Sequence, residues 1–327
     1  MLSEAENRAL YDSAQAEALL RHLAQCATQA GIELLVVKGP ALGHGGIYPA
    51  PHARPVSDVD LVCLPADRTR LVRHLLADGF VNAEPEYPVA YYLRYRGEVA
   101  LWRPDSPRWP CVEVHWGAAG GLYFGRHLPA RRLLDSSVPG FWGPGLRVLA
   151  PEMEFAHAVA HLAKHVRAMR PVWALDLALL ARRGLDWARV TAILRRARLH
   201  RVAVPVLSWV AERVPGAGPP RLLGNGVLQR GAHSGWRSGG NGGRLSWTEA
   251  RMLHAGGSGI GRWIEAMSLP TWRQRLGYLG ETLAPRRAVM ERLYPQARGR
   301  ALWLFHLRRW GRLLLPWRRV TAQERGG

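Results

Sequence analysis

The segment Ser57-Asp58-Val59-Asp60-Leu61-Val62 places two carboxylates one residue apart at the start of a predicted strand. Residues i and i+2 of a strand point to the same face, so Asp58 and Asp60 are expected to project together. Two close carboxylates repel each other unless a cation lies between them. Mg²⁺ prefers carboxylate oxygens and also binds substrate phosphates. The segment therefore indicates metal-assisted phosphoryl-group chemistry, with Mn²⁺ as the alternative ion.

Two further segments extend this pattern on either side. Residues 32–37 form a short apolar run that predicts a buried strand, and Lys38-Gly39-Pro40 then turns the chain into a helix. Residues 112–116 predict another strand, in which valines alternate with Glu113 and His115. Glu113 is therefore the candidate for a third acidic position beside the two aspartates.

The remaining periodicity predicts an α+β domain over residues 1–150 and a mostly α-helical domain over residues 151–327. The first domain is expected to contain helices at 4–30 and 67–78, a hairpin or edge strand pair within 87–102, and a loop-rich stretch at 122–151 with a short strand at 146–149. The second is expected to contain helices at 152–169, 173–183, 187–197, 202–214 and 298–315. Repeated glycines predict a flexible loop around 215–259.

The charge balance leaves two interpretations open. The formal net charge is +20, which favours a nucleic-acid or anionic-membrane partner. Arginine, alanine, glycine and tryptophan are also abundant, and only two of the 45 basic residues are lysines, which indicates a compositional bias instead. The apolar and arginine-rich stretch 303–319 has the character of an interfacial helix, although packing against the protein is the expected role of its apolar stripe.

Composition also predicts a cytoplasmic protein. No segment approaches the roughly 20 apolar residues that span a bilayer. The first six residues are acidic and lack the basic-then-apolar order of a signal peptide. Three widely separated cysteines form neither a zinc spacing nor a disulfide framework, which fits a reducing compartment.

The order of these motifs resembles the nucleotidyltransferase superfamily that includes polymerase β and the aminoglycoside nucleotidyltransferases. It resembles more closely a bacterial branch usually labelled uncharacterised nucleotidyltransferase, with Leu-Lys-Gly, an Arg before Asp-x-Asp, and an acidic residue two before His-Trp. The resemblance covers residues 30–185. This sequence has Glu113 where aspartate is common in the superfamily, and Lys38-Gly39 where the superfamily typically has Gly-Ser.

The resemblance implies a polymerase β-like fold and a catalytic trio. Asp58 and Asp60 are expected to hold one or two Mg²⁺ ions on a nucleoside triphosphate. Glu113 is expected to complete the metal site and to help activate the attacking hydroxyl. His115, on the same strand face, is expected to contact metal-bound water or to orient a carboxylate.

Further residues are expected to contact the nucleotide. Gly39 would let the backbone approach the phosphates, while Lys38 and Arg54 would place positive charges on them. His161 and His165 are expected to line the cleft. Together with His157 they lie on one helical face, so a zinc site and a purely structural role remain alternatives, with Asp176 as a pairing partner for one of them.

These motifs predict an enzyme that transfers a nucleoside monophosphate from an NTP, with ATP expected, to a hydroxyl or phosphate acceptor and releases pyrophosphate. One alternative is a catalytically degenerate nucleotide-binding or assembly module. Another is a basic protein that binds RNA or a membrane surface. The sequence leaves the acceptor open among sugars, peptides, proteins and nucleic-acid ends, and it leaves the oligomeric state open.

Overall fold

The computed structural model describes residues 3–118, 122–165, 170–214, 245–255, 259–297 and 302–314. Its centre is a mixed sheet of seven strands, namely β1 (Leu34–Val37), β2 (Asp58–Val62), β3 (Val81–Asn82), β4 (Glu98–Trp102), β5 (Cys111–His115), β6 (Ser137–Pro139) and β7 (Leu146–Leu149). Their order across the sheet is β3-β4-β5-β2-β1-β7-β6.

Strand pairing gathers the polar side chains of three strands on one face. β2 runs antiparallel to β1 and parallel to β5, so Asp60 lies opposite Val37 on one side and Glu113 on the other. β4 runs antiparallel to β5 and places Glu98 opposite His115. Because directly opposed residues share a face, this register brings Asp60, Glu113, His115 and Glu98 into one neighbourhood.

Helices cover both faces of the sheet. The first part of the chain supplies α1 (Glu4–Ala30), α2 (Gly39–His44), α3 (Arg68–Ala77), α4 (Val89–Tyr95), α5 (Leu122–His127) and α6 (Ala130–Asp135). The middle supplies α7 (Pro151–Lys164), α8 (Pro171–Ala181), α9 (Trp187–Arg196) and α10 (His200–Arg213). The last part supplies α11 (Trp247–Ala255), α12 (Gly259–Met267), α13 (Trp272–Leu283), α14 (Arg287–Leu293) and α15 (Leu302–Leu314).

The two faces of the sheet differ in character. One is purely apolar: side chains such as Val36, Leu61 and Val114 pack beneath α1 and α3 in a continuous core. The other contributes Val37 and Val62 to a second core that α5 to α10 complete. The charged residues lie on this second face, so the helices from residue 151 onward cover a polar cluster as well as apolar side chains.

This architecture confirms the expected α+β domain followed by a helical region. α1 begins at a capping box formed by Ser3 and Glu6, and it ends at Gly31, whose φ of 60° is the left-handed conformation typical of a helix C-cap. α7 to α10 follow the predicted helices of the second half. The second core joins sheet and helices without a break, and the domain boundary near residue 150 stays a prediction.

Three predictions from the sequence are wrong. Residues 87–102 contain helix α4 before strand β4, not a strand pair; Tyr91 and Tyr95, four apart, lie on one face of the helix, and Tyr87 stacks on Tyr91 from the preceding loop. Residues 122–151 are not mainly loop, since they contain α5, α6 and β6. The predicted loop at 215–259 contains helix α11, while residues 215–244 lie outside the described residues.

Helix α15 leaves part of its apolar stripe uncovered. Trp303, Leu304 and Leu307 are each more than half exposed, whereas the indole Nε1 of Trp310 donates to the carbonyl of Leu283 at 2.5 Å. The expectation that the stripe packs against the protein is therefore wrong for three of its residues. Within the described part of the chain, no helix combines the length and apolar character needed to cross a membrane.

Two glycines provide a matched test of the packing. At Gly117 an added Cβ would lie 2.9 Å from the backbone Cα of Gly125, whereas at Gly280 it would meet no atom within 4 Å. We expect Gly117→Ala to destabilise the fold by about 1–3 kcal/mol, because two backbone segments must separate. Gly280 is an exposed position of α13, so Gly280→Ala is expected to stabilise the helix by up to about 1 kcal/mol. Urea denaturation measures both, and equal effects of the two changes would contradict this packing.

Candidate active site

A buried carboxylate forms the centre of the candidate site. Asp60 is 2% exposed, and its Oδ1 accepts a hydrogen bond from Lys38 Nζ at 2.5 Å and lies 2.8 Å from His115 Nε2. Lys38 follows the end of β1, and His115 ends β5, so the three residues come from the three central strands of the sheet. The carboxylate therefore has a positive group from each neighbouring strand.

His115 connects Asp60 to two further acids. Its Nε2 lies 3.5 Å from Glu113 Oε2. Its Nδ1 lies 3.1 Å from Glu98 Oε2, which is within ion-pair distance, but the contact does not have the geometry of a hydrogen bond. Lys164 on α7 lies 3.6 Å from the other oxygen of Glu98. A chain of alternating charges thus runs from Lys38 through Asp60, His115 and Glu98 to the helical layer.

The proton affinities follow from burial and these partners. Burial alone would raise the pKa of Asp60, but the charge of Lys38 and the hydrogen bond to His115 hold it well below its usual value. Burial alone would lower the pKa of His115, but its bonds to Asp60, Glu113 and Glu98 raise it to about 10. The imidazole is therefore protonated at neutral pH. Burial alone would raise the pKa of Glu98, but the charge of Lys164 and the contact with His115 outweigh this effect and lower it to about 2.

Asp58 lies apart from this cluster, at the start of β2. Its side chain is half-buried and accepts a hydrogen bond from Ser57 Oγ at 2.8 Å. Burial first, and the neighbouring Asp60 second, raise the pKa of its carboxyl. Asp58 therefore faces the same region as Asp60, with an oxygen that no cationic side chain neutralises in the described part of the structure.

The donor set fits a divalent cation. Oxygens of Asp60 and Glu113 lie within 4.8 Å of one another, and Asp58 adds a carboxylate on the same strand, whereas the protonated His115 beside them is not a metal ligand. Glu113 lies opposite Asp60, and among the described residues no arginine forms an ion pair with either carboxylate. The ammonium of Lys38 already contacts Asp60, so a bound cation and this lysine compete for the same carboxylate.

Arg54 is a structural clamp within the described structure. Its Nε and Nη2 donate to the two oxygens of Asp176 on α8 at 2.7 and 2.8 Å, and Tyr48 donates to the same carboxylate at 2.6 Å. Arg54 and Asp176 are 6% and 4% exposed. The pair fastens the loop before β2 to the helical layer. Asp176 was expected to pair with a histidine and does not, because Arg54 occupies both of its oxygens.

Helix α7 covers the polar face with a row of histidines. His157 and His161 are 1% and 5% exposed, and the rings of His161 and His165 lie 4.9 Å apart against Trp173. Burial lowers the pKa of His157 to about 3 and that of His165 to about 4, so both are neutral at pH 7. Among the described residues these histidines form no cluster with metal-ligand geometry, which argues against the zinc alternative.

A cavity of about 170 Å³ lies between the sheet and this helical layer. It is lined by residues from both layers, including Lys38, Gly39, Arg54, Asp58, Asp60 and His161. Most residues predicted for the nucleotide thus line one cavity. Glu113 and His115 lie beside it, next to Asp60, and His165 lines a different cavity.

The backbone at Lys38 is strained. Its φ of 60° and ψ of −134° lie outside the regions that side-chain-bearing residues favour, and such strain is often stored at functional sites. At the adjacent Gly39 an added Cβ would make only ordinary contacts, the nearest being 3.7 Å from Val56. Packing therefore does not require glycine at position 39, and the open backbone faces the cavity.

A second cluster with metal-ligand geometry joins His22, Cys26 and Asp78, which no sequence motif connects. His22 Nε2 lies 2.6 Å from Asp78 Oδ2 and 3.6 Å from Cys26 Sγ. The guanidinium of Arg103 lies 3.0 Å from the same imidazole nitrogen and 3.1 Å from the same carboxylate oxygen. Since a cation already occupies this position, the cluster is a structural ion pair.

Sequence reasoning missed Glu98, Lys164 and Glu154. Glu98 lies in the segment predicted as a strand pair. It is linked to the site by its position opposite His115 in the β4–β5 pair, which depends on the strand register. Lys164 is one of only two lysines, a rarity that drew attention to Lys38 but not to its counterpart. Glu154 is hidden in an apolar helical face, where it is 5% exposed.

Residues 1–215 match a protein family described as uncharacterised nucleotidyltransferase. The match covers the whole sheet and the helices through α10, and it includes every residue of the polar cluster. No curated protein matches the chain significantly. The chain belongs to this nucleotidyltransferase family, as the motifs around Asp58 and Asp60 predict.

Glu154 makes a stability prediction. Burial, and then the nearby Asp176, raise the pKa of its carboxyl to about 8, against the opposing effect of Lys38. Between about pH 4.5 and 8 the folded state retains this proton while the unfolded state loses it, so the free energy of unfolding falls as pH rises through this range. Each unit between the two pKa values corresponds to about 1.4 kcal/mol.

We therefore expect Glu154→Gln to lose less stability than wild type between pH 5.5 and 8.5. Urea denaturation at several pH values measures the slope, with Glu33→Gln as a control because the Glu33 side chain is 67% exposed. An unchanged slope in Glu154→Gln would show that this carboxyl ionises normally.

Proposed function

We propose that this protein transfers a nucleoside monophosphate from an NTP, with ATP expected, to a hydroxyl or phosphate acceptor, with release of pyrophosphate. The single observation that carries the proposal is the cluster of Asp60 with Glu113 and His115, which lies beside a cavity that Asp58, Asp60, Lys38 and Gly39 line. Family membership supports the reaction class. The geometry adds which carboxylates would take part.

The acid cluster is proposed to bind Mg²⁺ with the triphosphate. Asp58, Asp60 and Glu113 would be the ligands, since their oxygens are hard donors on one sheet face. When bound, the cation neutralises charge on the phosphates of the substrate. His115 would hold Asp60 and Glu113 in position, because its Nε2 approaches both carboxylates.

Lys38 is proposed to contact the triphosphate. Its ammonium contacts Asp60 and also lines the cavity, so it can pass from the carboxylate to a phosphate oxygen without leaving the site. The absence of a side chain at Gly39 would let the phosphates approach the backbone. Neutral His161, in the opposite wall, would offer a hydrogen bond without adding charge.

The proposed reaction is an in-line displacement. The acceptor oxygen forms a bond to the α-phosphorus, and the bond from that phosphorus to the oxygen bridging to the β-phosphate breaks, so that pyrophosphate leaves. The acceptor's proton passes to Glu113, whose side chain is 32% exposed, whereas that of Asp60 is 3% exposed. Positioning and charge neutralisation supply most of the expected acceleration.

One observation favours a second candidate, a nucleotide-binding module without transfer activity. Asp60 is already paired with both Lys38 and His115, so the carboxylate is neutralised before any cation binds. A module of this kind would bind NTP and release no pyrophosphate. A sensitive pyrophosphate assay with Mg²⁺, NTPs and a panel of acceptors separates the two functions.

Substitution of the acids tests the enzymatic proposal. We expect Asp60→Asn and Glu113→Gln each to lower the rate of pyrophosphate release by at least 100-fold, because each removes a metal ligand or proton acceptor. Asp105→Asn is the matched control, since Asp105 is exposed and lies in the loop between β4 and β5, at the end of this strand pair opposite to Glu98 and His115. Circular dichroism checks folding. Activity of either cluster variant equal to that of the control would refute the assignment.

A further inference from the structure

A second and larger cavity lies on the other side of the polar cluster. Its volume is about 680 Å³, within the range of sites that enclose a small molecule. One wall comes from α4 and the start of β4, another from the end of α7, and the others from helices α11 to α15. None of its lining residues has a role in the function proposed above.

Two side-chain bridges connect this cavity to the candidate active site. Along the sheet, Glu98 lines the large cavity and lies 3.1 Å from His115, which lies 2.8 Å from Asp60. Along α7, His165 lines the large cavity, and its ring lies 4.9 Å from that of His161 in the small cavity. The reacting carboxylates are thus flanked by the small cavity on one side and the large one on the other.

Tyrosine rings form one part of the lining of the large cavity. Five of the nine tyrosines of the chain border it, namely Tyr87, Tyr91, Tyr92, Tyr95 and Tyr278. Tyr87 and Tyr91 stack with their centroids 4.0 Å apart, and Tyr95 meets Tyr278 edge to face at 6.4 Å. Tyrosine combines a flat apolar face with a hydroxyl, which suits a hydroxylated ring.

Two arginines in different walls of this cavity form no ion pair within the described part of the chain. Arg96 and Arg262 form no ion pair with any residue that the structure describes, whereas Glu98 is paired with Lys164 and Glu265 accepts the backbone N–H of Leu122 at 2.7 Å. Guanidinium groups bind phosphates and carboxylates through two parallel hydrogen bonds. Four glutamates and four basic residues line the cavity, so its formal charges balance, and the two guanidinium groups without an ion pair are where an anionic group of a ligand would bind.

We propose that this cavity binds the acceptor of the transfer reaction, and that the acceptor is a small sugar-like molecule that carries a phosphate or carboxylate. The inference rests on the proposed function. Its ring would lie against the tyrosines, its anionic group would meet Arg96 and Arg262, and its reacting hydroxyl would point past Glu98 toward Asp60 and Glu113. A nucleic-acid end or a protein side chain fits the enclosed volume less well.

The walls of the cavity indicate which part of the chain would select the acceptor. Its first two walls lie within residues 1–215, which match the nucleotidyltransferase family, while Arg262, Tyr278 and Arg309 lie beyond that match. The catalytic side is thus built from family sequence, and the far wall from sequence outside it.

Calorimetric titration of the full-length protein, without nucleotide or divalent cation, tests the inference. The probes are glucose 6-phosphate, glucuronate, glucose and inorganic phosphate. We expect one or both anionic sugars to bind, and glucose and phosphate to bind at least tenfold more weakly. Comparison of the two anionic sugars distinguishes a phosphate from a carboxylate.

Variants connect the binding to the cavity. Arg96→Gln and Arg262→Gln are expected to weaken binding of the anionic sugar at least tenfold, since each removes a guanidinium contact. Arg73→Gln, which changes an exposed arginine on α3, is expected to leave it unchanged. Failure of both anionic sugars to bind, or equal binding by the cavity variants and wild type, would overturn the inference.

A parallel pyrophosphate assay separates this inference from the proposed function. Arginine-dependent sugar binding without pyrophosphate release from Mg²⁺ and NTP would refute the transfer reaction and leave the ligand site standing. Pyrophosphate release with an oligonucleotide or a protein as acceptor, without sugar binding, would support the transfer reaction and overturn the inference.

Discussion

The structure depends on one buried carboxylate and the charges that neutralise it. Asp60 lies in the central strand of the sheet, beneath a helix, where an unpaired charge would be strongly destabilising. Lys38 and His115 reach it from the two neighbouring strands. The remaining features of the site follow from this arrangement: Glu98 balances His115, Lys164 balances Glu98, and buried neutral histidines add no further charge above them.

The two faces of the sheet differ in polarity, and this difference explains how the fold accommodates the charged cluster. The face beneath α1 and α3 is wholly apolar and supplies a core whose side chains are fully buried. The opposite face shares its apolar residues, such as Val37 and Val62, with the helical layer, and its polar residues occupy the gap between them. Two cavities remain there, one beside Asp58 and one beside Glu98, so a cavity lies on each side of the buried charges.

Much of this could be predicted from the sequence, because the signals are local. The alternation Asp58-Val59-Asp60 fixes which residues share a face, and Lys38-Gly39-Pro40 marks the end of one strand and the start of a helix. The rest depends on tertiary partners. Arg54 looks like a phosphate ligand until Asp176, more than a hundred residues away, proves to hold it. The tyrosines of α4 indicate strand or helix equally well, and only their packing against Tyr278 decides between the two.

The Arg54–Asp176 clamp limits how the cleft can move. To widen the small cavity, the loop before β2 would have to separate from α8, which would expose one buried charge without its partner at a cost of several kcal/mol. The sheet and the helices through α8 should therefore move as one rigid body, and the opening of the small cavity should keep a constant width. Any closure of the protein would then arise in the C-terminal helices around the tyrosine-lined cavity, which this ion pair does not hold.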